Sequence, residues 1–168
     1  AKLLKQQLPD VQFAMPRAGT IPLAMLQEKI AASGLDVKIT EGHNYDLFSA
    51  ADLALATSGT VTLEAALCGL PSVIVYRTSA LNAFIARLVI NIPNIGLPNI
   101  VAGKTIMPEL LQEDFTPEKL AKTAVELLQP ERQAQLQSDL EYMKKRLGEP
   151  GAVDRVAQLI LKITEEKK

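Results

Sequence analysis

The sequence holds one cysteine, Cys68, so no internal disulfide is open to it and a reducing compartment is the expected setting. Metal-ligand chemistry is equally thin. His43 is the only histidine, no Asp-x-Asp pair occurs, and no His/Cys cluster has zinc-site spacing, so neither metal nor cofactor is expected. The longest apolar stretch, around "AFIARLVINI", is too short to span a bilayer and is interrupted by Arg87. No stretch has the form of a secretory signal. Charge of one sign is also lacking: a net charge of −1 and a pI near 5.9 argue against a dedicated nucleic-acid binder. Internal repeats and low-complexity segments are absent. What is left, 48% apolar and 22% charged, is the composition of a soluble globular domain long enough to bury its own core.

Strand and helix signals then alternate along the chain. "VQFAM" (11–15), "VKIT" (37–40), "LALAT" (53–57) and "SVIVY" (72–76) read as short apolar strands. "IPLAMLQEKIAASG" has helical periodicity and stops at Gly34. "EGHNYD" reads as a polar loop, and "LFSAAD" and "VTLEAALCG" read as short helices. With no hairpin signal between strands, the expected fold is α/β: a Rossmann-like parallel sheet with helices on both faces and right-handed crossovers. The apolar run "LALAT" is expected to be buried on both faces.

After Arg77 the character changes. Residues 79–90 read as an apolar helix, with core packing favoured over contact with lipid chains, and "NIPNIGLPNIVAGK" reads as a Pro-, Asn- and Gly-rich loop. From Thr116, an N-cap followed by Pro117, the chain reads as helical to its end. Leu136, Leu140, Met143 and Leu147 form one stripe, and Val153, Val156, Ile160 and Ile163 another. Both helices either fold back on the sheet or cover a surface of another domain or protomer. The expected organisation is a Rossmann-like, N-terminally truncated domain over 1–115 and a helical tail over 116–168. Ala1 is not a translation start and "AKLLKQQLPD" reads as the end of a helix, so a piece of a longer chain is expected.

The chemistry concentrates in "ATSGTVTLEAALCGLPSVIVYR" (56–77). A strand that feeds a helix through Ser58, Gly59 and Thr60 places unpaired amide donors at the carboxyl edge of the sheet, a ready anion site. Gly59 removes the side chain that would hold a phosphate off, and the two hydroxyls add donors. Glu64, one turn on, shares the face of Thr60 and could accept two hydroxyl hydrogens from a ribose beyond a diphosphate. Local chemistry leaves a second reading open, in which Ser58 and Thr60 only cap the helix and Glu64 is a solvated or ion-paired helix carboxylate.

"SGTVTLEAALCGLPSVIVYR", with "LPNIVAGK" and "MPELLQ", closely resembles bacterial lipid-A-disaccharide synthase. More broadly, S-G-x-x-x-x-E-A-x-x-x-G-x-P resembles the donor-nucleotide motif of glycosyltransferases with the B-type fold. The likeness covers almost all of the chain. It implies a UDP-sugar donor site in the C-terminal half of a two-domain inverting transferase. That enzyme joins UDP-2,3-diacylglucosamine to 2,3-diacylglucosamine 1-phosphate in lipid A biosynthesis and releases UDP. By matched position, Ser58, Gly59 and Thr60 would hold the diphosphate and Glu64 the ribose. Gly42 and His43 match the loop that seats uracil through backbone atoms. Asn99 of "LPN", with Glu109 and Gln112 of "PELLQ", matches positions near the donor sugar and phosphates.

Competing roles stand beside these. Arg77 could neutralise the leaving diphosphate or serve as a structural partner of a carboxylate. His43 could be a base or surface decoration, Asn99 a loop turn, and Glu109 the start of a helix. The resemblance further implies an acceptor-binding N-terminal half that supplies the catalytic base, and an opening strand with a glycine–serine–arginine phosphate loop. These 168 residues contain neither, so the chain alone is expected to be inactive. A peripheral position on the cytoplasmic face of the inner membrane and a homodimer through the C-terminal helices complete the expected partners, with no nucleic acid. The alternatives are a donor-binding subunit of a split transferase, another B-type transferase or a UDP-sugar epimerase, and a flavodoxin-shaped regulatory domain.

Overall fold

The computed structural model describes residues 1–79 and 93–165, so the helix expected over 79–90 lies outside the described residues but for its first position. In chain order the elements are α1 (Lys2–Gln7), β1 (Phe13–Pro16), α2 (Leu23–Ser33), β2 (Val37–Thr40), α3 (Asn44–Ala50), β3 (Ala54–Thr57), α4 (Thr60–Leu67) and β4 (Ser72–Tyr76). Then come α5 (Leu97–Ala102), β5 (Glu109–Leu111), a 3-10 turn at Gln112–Asp114, α6 (Pro117–Leu127), α7 (Pro130–Leu147) and α8 (Ala152–Glu165). Every ladder is parallel. β1 pairs with β2, Phe13 opposite Val37, and β4 lies between β3 and β5, with Ala54 opposite Ser72 and Ile74 opposite Glu109. The chain is thus an α/β protein of parallel strands flanked by helices.

Two sheets form where one was expected, since no ladder among the described residues joins β1 to β3. Helices hold the sheets side by side. Leu3 and Leu4 of α1, with Ala121 and Ala124 of α6, pack on Phe13 of β1 and on Leu53 just ahead of β3. Among the described residues β3 is consequently an edge strand with one ladder partner. Leu55 stays 43% exposed, so "LALAT" is not buried on both faces as its composition suggests.

The strand buried on both faces is β4. Val73 and Val75 pack with Leu110, Leu127 and Leu136, whereas Ile74 packs with Ala66, Ala102, Met107, Leu140 and Met143. Alternate residues therefore feed two apolar layers, which explains the unbroken apolar run "VIV". Fully burying a side chain such as Ile74 contributes about 1.5–3 kcal/mol. α7 supplies Leu136 to one layer and Leu140 and Met143 to the other, so it folds back on the core. α8 does not. Val153, Val156, Leu159, Ile160, Leu161 and Ile163 are all exposed, from 46% to 82%.

Local signals set the helix ends. Gly34 closes α2 in the left-handed region at φ 69°. Thr116 Oγ1 accepts from the Lys119 amide at 3.2 Å, with Pro117 at the first helical position of α6. α3 begins at Asn44, inside the stretch read as a loop; His43 at the N-cap position makes no side-chain cap, and Asp46 places favourable negative charge in the first turn. α5 and β5 also lie in segments given no regular structure from sequence. At six and three residues they are too short to show a period, and Glu109 begins a strand rather than a helix. No helix among the described residues is long and apolar enough to cross a membrane.

Candidate functional site

β3 ends at Thr57, and Ser58 and Gly59 turn the chain into α4. Gly59 has φ 159° and ψ −172°, a conformation essentially confined to glycine, and a Cβ built there would meet no atom of the described residues beyond its chain neighbours within 4 Å. No side chain caps α4. The first amides of the helix therefore lack intrahelical acceptors, although Thr62 returns its amide and its Oγ1 to Gly59 O at 3.2 and 2.7 Å. Thr60 is exposed at the helix mouth and Glu64 is half-buried one turn on. Open amide donors, a helix dipole and a carboxylate one turn away thus meet at the carboxyl end of a parallel strand, where open α/β sheets bind ligands.

Ser58 has spent its donors. Its amide donates to Val75 O and its Oγ to Ile95 O, each at 3.1 Å. The turn that receives this hydroxyl is held from the other side by Glu109. The Glu109 carboxylate accepts from the Ile95 amide at 2.9 Å, the Gly96 amide at 3.0 Å and Asn99 Nδ2 at 2.7 Å. Asn99 is fully buried. Its Nδ2 also donates to Met107 O at 2.8 Å, while its Oδ1 accepts from the amides of Ile106 and Met107 at 2.8 and 2.9 Å. Ser58, Asn99 and Glu109 are therefore brought into one network. Its focus, the Ile95–Gly96 turn, lies within the stretch that reads from sequence only as a Pro-, Asn- and Gly-rich loop.

At the carboxyl ends of β4 and β5 a second group forms. Arg77 Nη2 donates to Gln112 O at 3.2 Å and to Phe115 O at 2.5 Å, and its guanidinium lies 5.3 Å from the centre of the Phe115 ring. Its partners among the described residues are thus backbone carbonyls and a ring face, with no carboxylate between them. Gln112 is the one described non-glycine residue with positive φ, at 50°, and its Oε1 accepts from the Thr78 amide at 3.4 Å. Left-handed backbone costs a non-glycine residue of order 1–3 kcal/mol and concentrates at functional sites.

Gly42 and His43 follow β2. No hydrogen bond joins them to the α4 group among the described residues. Gly42 has φ 73°, and the His43 ring lies in solvent with Nδ1 3.2 Å from Asp46. Just before them Glu41 receives Arg17 Nε and Nη2, both at 2.7 Å, which ties the end of β2 to the end of β1. The hydrogen bond from Arg17 pulls the Glu41 pKa below the usual carboxylate value, against the opposing effect of desolvation, and raises that of Arg17. A groove of about 490 Å³ between α2 and β2, lined by Leu23, Ile30, Val37 and Ile39, ends at Glu41 and does not reach α4. Its walls are mostly apolar, with Gln27 as the one side-chain amide donor and the Glu41 carboxylate at its end. No group of three or more His, Cys, Asp or Glu side chains that could hold a metal occurs among the described residues.

Comparison with known proteins agrees over nearly the whole chain. A family model described as lipid-A-disaccharide synthetase matches residues 1–163. The lipid-A-disaccharide synthase of Syntrophus aciditrophicus is 40% identical over 168 residues, covering 99% of this chain and 44% of that protein. The synthase of Anaeromyxobacter dehalogenans (strain 2CP-C) is 42% identical over 164 residues, covering 96% of this chain and 43% of that protein. That of Geobacter sulfurreducens is 37% identical over 164 residues, 97% of this chain and 43% of that protein. The chain spans less than half the length of these relatives. With the family model and its relatives covering almost every residue, the chain belongs to the lipid-A-disaccharide synthetase family.

Proposed function

We propose that this chain is the UDP-sugar-binding half of a lipid-A-disaccharide synthase, a glycosyltransferase of lipid A biosynthesis. The donor is UDP-2,3-diacylglucosamine and the acceptor 2,3-diacylglucosamine 1-phosphate. The diphosphate lies on the amides at the mouth of α4, around Gly59 and Thr60 beside Ser58, and Glu64 takes the ribose hydroxyls. The observation that carries this reading is the start of α4, which among the described residues has no side-chain cap and nothing in front of Gly59, with a carboxylate one turn on. Uracil lies by Gly42 and His43, and the sugar on the side of the site where Gln112 stands, with Asn99 and Glu109 in the network behind it. Charge developing on departing UDP is stabilised by the α4 donors and by the cationic field of Arg77.

Transfer is inverting and needs a base for the acceptor hydroxyl. His43 lies in solvent with Asp46 beside it. The base belongs to an acceptor-binding half, and these residues alone do not catalyse transfer. The strand expected from the resemblance lies between β1 and β3, where the two sheets lack a common ladder and Leu55 is left uncovered. The whole enzyme works at the cytoplasmic face of the inner membrane. The apolar stripe of α8 covers a surface outside this chain, with a second protomer as the occupant.

Titration calorimetry with UDP tests the site. Glu64→Ala is expected to weaken binding by about 1–3 kcal/mol, the worth of hydrogen bonds to a charged acceptor. Affinity equal to that of the unsubstituted chain would refute the ribose role.

A further inference from the structure

We infer that Ser58 and Glu109 are positioning residues for the diphosphate site, acting from opposite sides on the Ile95–Gly96 turn, and not ligands of the donor. The inference rests on the nucleotide reading above and assigns these two motif residues another role within it. A serine offers two donors, its amide and its hydroxyl, and a bound phosphate oxygen can only accept. Both Ser58 donors are engaged, on Val75 O and Ile95 O. A carboxylate has about four lone-pair sites, and three of those of Glu109 are taken, by the Ile95 and Gly96 amides and Asn99 Nδ2. Both side chains are thus spent mainly on the protein itself.

Together they fix a turn. Ile95 presents its carbonyl to the β3–α4 junction and its amide to β5, so one residue is gripped by two elements. The turn lies hard against the core, so close that a Cβ on Gly96 would stand 2.3 Å from Ile74 Cδ1 of β4 and 3.1 Å from Glu109 Oε1. Ser58 is therefore held at a set distance from the sheet core through Ile95 and Glu109. Gly59 and Thr60 follow Ser58 directly, so the aim of their amides depends on that hold. Donors aimed in advance avoid the cost of ordering them when the anion arrives.

UDP alone discriminates the roles, because it carries no donor sugar. A sugar ligand at Glu109 would leave UDP affinity unchanged on substitution, whereas a positioning residue would not. Glu109→Gln keeps the shape but turns an NH2 toward amide donors. UDP affinity is measured for Ser58→Ala, Glu109→Gln, their double variant and Glu64→Ala, with amide exchange at Ile95 and Gly96 followed without nucleotide. Each of the first two is expected to weaken UDP about five- to tenfold and to speed exchange at both amides. The double variant is expected to bind within about twofold of the weaker single, since both act through one turn. Wild-type UDP affinity in Glu109→Gln, multiplying penalties in the double variant, or unchanged exchange in Ser58→Ala would each overturn the inference. Should Glu109→Gln fail to fold, Ser58→Ala decides by exchange alone. Wild-type UDP affinity in Glu64→Ala removes the nucleotide reading instead, while the exchange data still decide whether the two residues hold the turn.

Discussion

Gly96 is required for closeness rather than for an unusual backbone angle. Its backbone lies against the Ile74 side chain, and any Cβ would overlap Ile74 Cδ1. Gly96→Ala is expected to cost about 1–3 kcal/mol by overpacking. Ile74→Val removes the colliding methyl and alone costs about 0.5–1.5 kcal/mol. In the Gly96→Ala background it is expected to restore part of the loss, read as a shift of the urea midpoint. Additive losses in the double variant would show that the approach of turn and strand is not the constraint. At this scale, legibility follows sequence distance. Gly34 and Thr116 were readable because each acts on its own helix end. The partners of Ser58 and Glu109, 37 and 14 residues away, leave no trace in local pattern.

Periodicity decides which elements can be read. Leu136, Leu140 and Met143 of the α7 stripe are buried, Leu147 at its end is exposed, and the α8 stripe is exposed throughout, yet both show spacings of three and four in sequence, because amphipathicity says that a face is covered and not by what. β5, three residues long, has no period to detect, although it carries Glu109 and opens the way to Gln112. The exposed α8 face has a measurable consequence. Sedimentation of the chain at high concentration is expected to show association, reversed by Val156→Asp together with Ile160→Asp without loss of helix α7 packing. A clean monomer in the unsubstituted chain would contradict the covering role given to α8.

For the whole molecule, alternation of strands and helices was enough to give a parallel α/β architecture, since crossover connections leave few other arrangements. The division into two sheets was not legible, because the composition of "LALAT" reports an apolar setting and cannot say which neighbours supply it. The candidate site divides in the same way. The candidate anion site proposed at α4 follows from a local strand–turn–helix pattern, whereas the engagement of Arg77 with Gln112 and Phe115 depends on how β4 and β5 register. A crystal structure with UDP bound tests the central claim most directly. Density for the diphosphate is expected over the Gly59 and Thr60 amides, with both ribose hydroxyls within hydrogen-bond reach of the Glu64 carboxylate. Nucleotide density elsewhere, or a Glu64 carboxylate turned into solvent beside a bound UDP, would contradict it.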